Sequence, residues 1–403
     1  MKLNLPKNKL RFPKFRFDKH IPIILILLVV IGLGFYFFNT KTTSLQNLIT
    51  SITSEKDKNL EELQKIAKEL EDLKNQDQLK RNDELQKEIQ NIEKTYDKAV
   101  SIYESLLDLK DNTNKTSELD ELFSKSLSYL ADRDYSSAST TLDTLATKIK
   151  EEEVKVASTF KIPENVPVQN APPGSGYSRQ QVQTEAGTFL VNIIAADLSS
   201  TKVIIDTASD SDCSNDCPTL PLATYVSRNG AYAGIHGAYA CPSEYPSCAG
   251  KTNSFDLLIM NKDKYYFNSS NNVYSNNPAV IFGNGWIRFV AHASEWGRDT
   301  GVDGVLSNFP LLVYNSGIKY SEPGDNKMSI KSSRGFVANK GNTVYVGVVF
   351  NATVADSAKV MKALGMENAI NLDGGGSTAL WYQGGYKAGP GRNLTNTILF
   401  LKK

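Results

Sequence analysis

The feature that most constrains this chain is an uncharged stretch near its N-terminus, from Ile21 to Phe38. A helix of that length spans roughly 27 Å, close to the hydrocarbon thickness of a bilayer. A buried core helix would carry a polar face, and this stretch has none. A cleaved signal peptide normally has a shorter apolar run that ends in small residues. The run ends instead in four bulky aromatics at 35–38, which favours an uncleaved transmembrane signal anchor.

The charges around this stretch predict its orientation. Residues 1–20 contain seven Lys or Arg side chains and one acid, Asp18, which is typical of a basic cytoplasmic tail. We therefore predict a single-pass protein of the cell membrane, held by residues 21–38, with a cytoplasmic N-terminus and an extracytoplasmic C-terminal domain. The net charge of the whole chain is only +1, which argues against nucleic acid as a partner.

The four cysteines agree with an exported domain. Cys213 and Cys217 form one couple in the sequence, and Cys241 and Cys248 form another. An even number of cysteines outside the cytoplasm indicates two disulfides, for which three pairings exist. The spacings fit no common structural zinc pattern. We favour pairing within each couple.

Residues 45–158 are polar, favour helix and contain almost no Gly or Pro. Apolar residues step by three and four over 63–73 and again over 89–106, with a break near 75–78. This pattern indicates an α-helical coiled-coil or bundle stalk, which could also mediate self-association. Two shorter helices are predicted after it, near Ser117–Ala131 and Tyr135–Ser158.

The composition of the sequence changes between the stalk and the distal domain. Residues 162–177 hold four prolines and two glycines and predict a linker. From 178 to 403 short β-type runs dominate, with a helix expected from Val354 to Leu364. Thr353 is its predicted N-cap, Asp356 completes a capping box, and Gly365 ends the helix. We expect an α+β distal domain with mostly antiparallel sheets.

The segment Asn371–Thr378, which reads NLDGGGST, is the most informative one for chemistry. A short apolar strand ends at Asp373, which is followed by three consecutive glycines. Glycines cost conformational entropy on folding, and their N–H groups can line a concavity that binds an anion. A carboxylate beside such donors suits a charged, oxygen-rich substrate. The alternative is a tight turn that needs positive φ, with Asp373 as a local turn former.

Four further segments belong, together with the glycine-rich segment, to one ordered set of short motifs along the distal domain. They are Gly234–Tyr239, Pro310–Val313 followed by Gly317, Arg334-Gly335, and Arg392 with Asn396. In this order, the segments make the region from about Val182 to Phe400 resemble the phosphodiester glycosidase family. Bacterial members of that family are often labelled exopolysaccharide-biosynthesis proteins.

The sequence departs from the family pattern at two positions. His236 stands where the family has Asn, and Phe309 precedes Pro310 where Gly is usual. His236 could bind substrate or carry a proton. It could equally make a structural hydrogen bond, and its presence could alter specificity or reduce activity.

The resemblance implies hydrolysis of a sugar joined to phosphate through its anomeric carbon. Phosphate leaves as a stable anion, so one carboxylate with anion-stabilising groups could suffice where ordinary glycosidases need two. The implied catalytic residues are Asp373, as nucleophile or general base, with His236 and Arg334. Arg334 and Arg392 would bind phosphate, because a guanidinium fork matches its oxygens. The implied substrate-binding residues are Asn371, Gly374, Gly375, Gly376, Ser377, Arg392 and Asn396.

Three functions remain open on the sequence. One is an envelope hydrolase acting on a phosphorylated glycan or a sugar-1-phosphodiester in surface or exopolysaccharide material. Another is a glycan-binding module of reduced activity, which His236 favours, whereas Asp373 and Arg334 favour the enzyme. The last is a structural envelope protein that functions through its helical stalk. This function would leave the glycines and arginines unexplained. The sequence calls for no cofactor and no metal.

Overall fold

The structure is a computed structural model that describes residues 21–270, 275–321 and 326–403. The basic tail predicted over 1–20 lies outside these residues. The chain divides into two compact units, Met1–Ile89 and Gln90–Lys403. We describe each unit by itself.

The first unit contains α1 (Ile21–Lys74) and the beginning of α2 (Asp77–Lys110). The interruption predicted near 75–78 is where α1 ends. Among the described residues, α1 is the one helix long and apolar enough to cross a membrane. Its described apolar side chains between 23 and 38 are exposed, as are the heptad residues from Leu63 to Leu73. The coiled coil and the membrane orientation stay predictions.

The second unit begins with the rest of α2, followed by α3 (Ser117–Ala131) and α4 (Tyr135–Thr159). Both predicted helices are confirmed. These helices share a small apolar core that includes Leu106, Leu130, Ala138, Leu142 and Leu145. The side chain of Leu127, on α3, is exposed and lies outside this core. The helical region of this unit is therefore a packed bundle.

The predicted linker is extended but packed against the distal domain. The backbone N–H of Gln181 donates to the Pro167 carbonyl oxygen at 2.8 Å, and the N–H of Gln169 donates to the Gln181 carbonyl oxygen at 2.8 Å. Val166 is buried. The segment is thus held along the first strand of the distal domain, where it acts as more than a spacer.

In the residues that the structure describes, the distal domain consists of many short strands and three further helices. The strands are β1 (Gly176–Thr184), β2 (Gly187–Asp197), β3 (Thr201–Thr207), β4 (Ala233–His236), β5 (Ile259–Met260), β6 (Tyr266–Phe267), β7 (Ala279–Gly283), β8 (Trp286–Val290), β9 (Gly304–Ser307), β10 (Leu311–Tyr314), β11 (Gly317–Ile318), β12 (Ser332–Lys340), β13 (Thr343–Ala352), β14 (Asn368–Gly374), β15 (Leu380–Tyr382), β16 (Gly385–Ala388) and β17 (Asn396–Lys402). The helices are α5 (Leu222–Asn229), α6 (Asn326–Ser329) and α7 (Val354–Ala363).

These strands form three sheets. The first has seven strands in the order β1-β2-β13-β12-β14-β10-β11, the second five in the order β16-β15-β4-β17-β3, and the third five in the order β6-β5-β9-β7-β8. Each pairing between these strands is antiparallel, which confirms the predicted α+β class. The main apolar core contains buried side chains from all three sheets.

Helix α7 covers the other face of the seven-stranded sheet. The Thr353 hydroxyl oxygen accepts a hydrogen bond from the Asp356 N–H at 3.0 Å, and the Asp356 carboxylate accepts one from the Thr353 N–H at 3.0 Å. This is the predicted capping box. Gly365 follows the helix with a φ of +72°, so the predicted stop is confirmed as well.

Both disulfides join neighbours in the sequence. Cys213 bonds to Cys217 and Cys241 bonds to Cys248, with Cα–Cα distances of 5.8 and 5.4 Å. The second disulfide closes a loop that begins shortly after β4. This loop lies beside the candidate site described next.

Candidate active site

The glycine-rich segment carries the chain from the seven-stranded sheet to the second sheet. Asp373 and Gly374 end β14, residues Gly375–Ser377 form one 3₁₀ turn, and β15 begins at Leu380. The Asp373 N–H donates to the Gly237 carbonyl oxygen at 3.1 Å, directly after β4 in the second sheet. The acid is thereby fixed where the two sheets meet.

Local backbone geometry explains part of the glycine run. Gly375 has a φ of +56°, which side chains rarely tolerate and which begins the turn. One oxygen of the Asp373 carboxylate accepts a hydrogen bond from the Gly374 N–H at 2.8 Å. Its other oxygen has no hydrogen-bond partner among the described residues, and the side chain lines a cavity. Asp373 therefore forms a local turn and still presents a carboxylate oxygen for chemistry.

Arg334 lies beside this turn because β12 and β14 are neighbours. The strand register pairs Arg334 with Gly374. The guanidinium is buried, with 9% of the residue exposed. It donates to the carbonyl oxygens of Lys327, Ile330 and Ala352 at 2.9, 2.5 and 3.2 Å. Within the described part of the chain, no carboxylate forms an ion pair with it.

Burial lowers the pKa of the Arg334 guanidinium from its ordinary value, because a charge is costly away from water, while Tyr239, Asp108, Asp373 and Tyr320 oppose this effect electrostatically. The same side chain lines a cavity with Asp373. A buried cation at a cavity wall, with no carboxylate in ion-pair contact within the described chain, is suited to bind an anion.

His236 ends β4 and lies behind the cavity wall. It is fully buried, with its Nε2 2.6 Å from the Asp373 carbonyl oxygen and its Nδ1 3.1 Å from the Ala379 nitrogen. A carbonyl oxygen only accepts, so Nε2 donates to the Asp373 carbonyl oxygen, whereas Nδ1 lies 3.1 Å from both the nitrogen and the carbonyl oxygen of Ala379. Burial lowers the pKa of the imidazole, although the Asp373 carboxylate and the backbone groups of Ala379 and Asp373 oppose this effect. These contacts position Asp373; a role as a proton carrier stays a prediction.

Two of the predicted substrate-binding residues are buried away from the main cavity. Asn371 donates to the Tyr239 hydroxyl oxygen at 2.7 Å. Asn396 accepts from the Ala238 N–H at 2.8 Å and so fixes the segment after His236. A small adjoining void of about 20 Å³ is lined by His236 and Asn396, together with Asp373. Asn371 and Asn396 thus support the walls of the site.

Arg392 reaches the site from the other side of the turn. Its backbone N–H donates to the Gly376 carbonyl oxygen at 2.7 Å. Its guanidinium lies 3.6 Å from a carboxylate oxygen of Asp111 and 3.7 Å from one of Glu244. An anionic substrate would therefore share this arginine with two carboxylates, whereas Arg334 has no such competitor among the described residues.

The main cavity has a volume of about 510 Å³. Of the predicted site residues, it brings together Asp373, Gly374, Gly375, Gly376, Ser377, Arg334 and Arg392. A second cavity of about 530 Å³ adjoins it and is also lined by Gly375, Gly376 and Arg392. The structure therefore collects most of the predicted site around one concave surface.

Several cavity residues were not predicted from the sequence. Asp108, Asp111 and Glu153 come from the helices, Tyr245 from the second disulfide loop and Lys327 from α6. The one sequence signal was a row of acids at 104 and 108 on α2 and at 111 directly after it, with the spacing of one helix face. Such a row is indistinguishable from a solvated helix face until its packing is known.

Comparison with solved structures finds distant similarities. A hypothetical protein from Synechocystis is 12% identical over 56% of this chain and 62% of its own, with a TM-score of 0.41. The catalytic domain of zebrafish N-acetylglucosamine-1-phosphodiester alpha-N-acetylglucosaminidase, auto-inhibited by its pro-peptide, is 15% identical over 59% and 87%, with a TM-score of 0.45. An exported protein from Burkholderia pseudomallei is 12% identical over 53% and 74%, with a TM-score of 0.33.

Comparison with curated proteins finds no match. The comparison with protein families matches residues 229–401 to the phosphodiester glycosidase model. The match includes β4 with His236, β12 with Arg334 and β14 with Asp373, which are the elements that build the site. Over residues 229–401, this chain carries a domain of the phosphodiester glycosidase family.

Proposed function

We propose that this protein is a hydrolase that releases a sugar from a phosphodiester attached to its anomeric carbon. The observation that carries the proposal is Arg334, a buried cation without a carboxylate partner in the described chain, on the same cavity as Asp373. A phosphodiester supplies the missing anion, and its anomeric carbon supplies a target for the carboxylate. The family match of residues 229–401 supports the same reaction class.

The reaction balances with water as the only co-reactant. The oxygen of water bonds to the anomeric carbon, and the bond from that carbon to the phosphate oxygen breaks. The electron pair leaves on the phosphate, and the water proton passes to Asp373 and then to solvent. Arg334 stabilises the phosphate charge in place of a strong acid. As a nucleophile, Asp373 would bond to the anomeric carbon first and be released by water.

The shape of the site supports a diester rather than a monoester. A diester carries one group on each side of its phosphate, and two cavities of about 510 and 530 Å³ meet at the glycine run and Arg392. The sugar would occupy one cavity and the second alcohol group the other. Phosphodiester-linked sugars of envelope or exopolysaccharide material are the substrate class that fits this arrangement.

The test is hydrolysis of a panel of sugar-1-phosphodiesters by the full chain in water enriched in ¹⁸O. We expect free sugar and a phosphomonoester, with the label in the sugar, because a glycosidase breaks the carbon–oxygen bond. Label in the phosphate would contradict the assigned reaction. The glycan-binding module, which His236 in place of the family Asn favours, predicts no turnover across the panel together with retained binding of the same compounds.

We also propose that α1 is a signal anchor and that the distal domain is extracytoplasmic. The apolar stretch in α1, the basic residues before it and the two disulfides support this topology. Protease added to intact cells or spheroplasts should therefore digest the distal domain, with a cytoplasmic protein as the protected control. Complete protection of the distal domain until the membrane is broken would contradict the topology.

A further inference from the structure

The C-terminal half of α2 packs against loops of the candidate site. Glu104 is buried and accepts hydrogen bonds from the Ser247 N–H at 3.1 Å and from the Lys327 Nζ at 3.2 Å. One turn further along, the Asp108 carboxylate accepts a hydrogen bond from the Tyr245 hydroxyl. The helix is thus fixed to the distal domain by charged and polar contacts.

Gly376 shows how close this approach is. A Cβ atom at Gly376 would overlap the carboxylate of Asp111 and the guanidinium of Arg392. The third glycine of the run therefore leaves room for these two side chains. Asp111 directly follows α2, so the end of this helix lies beside the turn.

Helix α4 borders the same cavity. The Asn351 side-chain amide, in β13, donates to the Ala157 carbonyl oxygen at 3.0 Å and holds the end of α4 in place. One turn earlier, Glu153 lines the cavity that Asp373 and Arg334 also line. The bundle therefore closes one side of the site with two helices.

We propose that α2 and α4 form a wall of the active site and that the protonated carboxyl of Glu153 donates a hydrogen bond to the phosphodiester of the substrate. The inference rests on the proposed function and deepens it. It assigns a substrate contact to a residue outside the family match of 229–401.

The charges around the cavity single out Glu153. Glu104 is paired with Lys327, Asp111 lies near Arg392, and Asp108 accepts from Tyr245. Glu153 has neither an ion pair nor a hydrogen bond within the described chain. An ionised carboxylate there would repel a phosphodiester, whereas a protonated one would donate to it.

The environment of Glu153 keeps it protonated to an unusually high pH. Burial, and then the charge of Asp108, raise the pKa of Glu153 to about 7, and Lys150 opposes them more weakly. Besides Glu153, the charged and titratable groups that line the same cavity are Asp108, Asp111, Tyr239, Tyr245, Lys327, Lys331, Arg334, Asp373 and Arg392. Binding of an anion should therefore weaken as the pH rises through about 7.

The test is the affinity of the full chain in detergent for sulfate, measured by calorimetry at about pH 6 and about pH 8, on either side of the Glu153 pKa of about 7. Sulfate does not titrate in this range, whereas inorganic phosphate does. We expect wild-type affinity to fall roughly tenfold or more between the two pH values, because a hydrogen bond to a charged group is lost and repulsion replaces it.

Three variants separate the proton of Glu153 from other causes. Glu153→Gln keeps a neutral donor, so its sulfate affinity should be the same at both pH values. Asp108→Asn removes the charge that helps raise the pKa of Glu153, so the loss of affinity should move to lower pH. The exposed neighbour Glu151 is the matched control, and Glu151→Gln should follow the wild type.

The result that overturns the inference is a sulfate affinity whose pH dependence is the same in wild type and Glu153→Gln. A rise of affinity above the low-pH wild-type value in Glu153→Ala would also overturn it, since the helices would then obstruct the site. If sulfate binding behaves as expected but no sugar phosphodiester is hydrolysed, the assignment of the helices and Glu153 to the anion site is retained and the proposed reaction is wrong.

Discussion

Replacement of Asp373 by Asn should reduce hydrolysis of a sugar-1-phosphodiester by about 10²–10⁴-fold, and by more if the carboxylate is a nucleophile. The amide oxygen of Asn can still accept the hydrogen bond that the Gly374 N–H now gives to Asp373. The side chain is only partly buried, so the midpoint of thermal unfolding should change little. Initial rates with wild type and variant at equal concentration measure the effect.

The matched control for this experiment is Glu244→Gln. Glu244 lies near the site, 3.7 Å from Arg392, but its side chain is 57% exposed. Loss of such an exposed ion pair should change the rate by no more than about fivefold. A loss in Glu244→Gln as large as that in Asp373→Asn would mean that two carboxylates act, as in ordinary glycosidases, and would reject the single-carboxylate reaction.

Local sequence signals were enough for much of the fold. The capping box at Thr353 and Asp356, the break between α1 and α2 and the short β-type runs all depend on neighbouring residues, and all appear as expected. The order of the strands depends on pairings between distant segments. The meeting of β12, β14 and β4, which positions the site, could not be deduced from periodicity.

The site shows the same division between local and long-range information. Asp373 and its glycines are visible in the sequence because the chemistry and the turn are in one segment. Arg334 became a candidate only through the family resemblance, and its burial without a counterion is a property of the folded state. His236 illustrates the limit: the residue type allowed proton chemistry or a structural hydrogen bond, and only the folded chain shows that its contacts are with backbone groups.

The contribution of the helices was beyond sequence reasoning. Acids at 104, 108 and 111 have the spacing of an ordinary solvated helix face, and Glu153 lies in a run of three glutamates. Their chemistry depends on which surface the helices cover, which is set by contacts such as those of Glu104 with Ser247 and Lys327. Sequence periodicity predicts which residues share one side of a helix, whereas the tertiary packing determines which residues that side contacts.

Replacement of Arg334 by Lys should lower kcat/KM for the phosphodiester by about 10–100-fold and weaken sulfate binding similarly, because an ammonium keeps the charge but loses the planar fork. Lysine cannot satisfy the carbonyls of Lys327, Ile330 and Ala352 together, so stability should fall by about 1–3 kcal/mol. Rates must therefore be measured well below the unfolding midpoint of the variant.

The exposed Arg179 on β1 provides the matched control, and Arg179→Lys should leave rate, sulfate affinity and stability unchanged. The two consequences of Arg334→Lys have separate causes, since the three carbonyls hold the arginine in place and, in the proposed reaction, the cavity side of the guanidinium would bind the anion. A variant that is less stable yet keeps wild-type sulfate affinity and kcat/KM would show that Arg334 only braces the segment 327–334. A joint loss of affinity and rate in a folded variant would instead identify this buried cation as the phosphate-binding group.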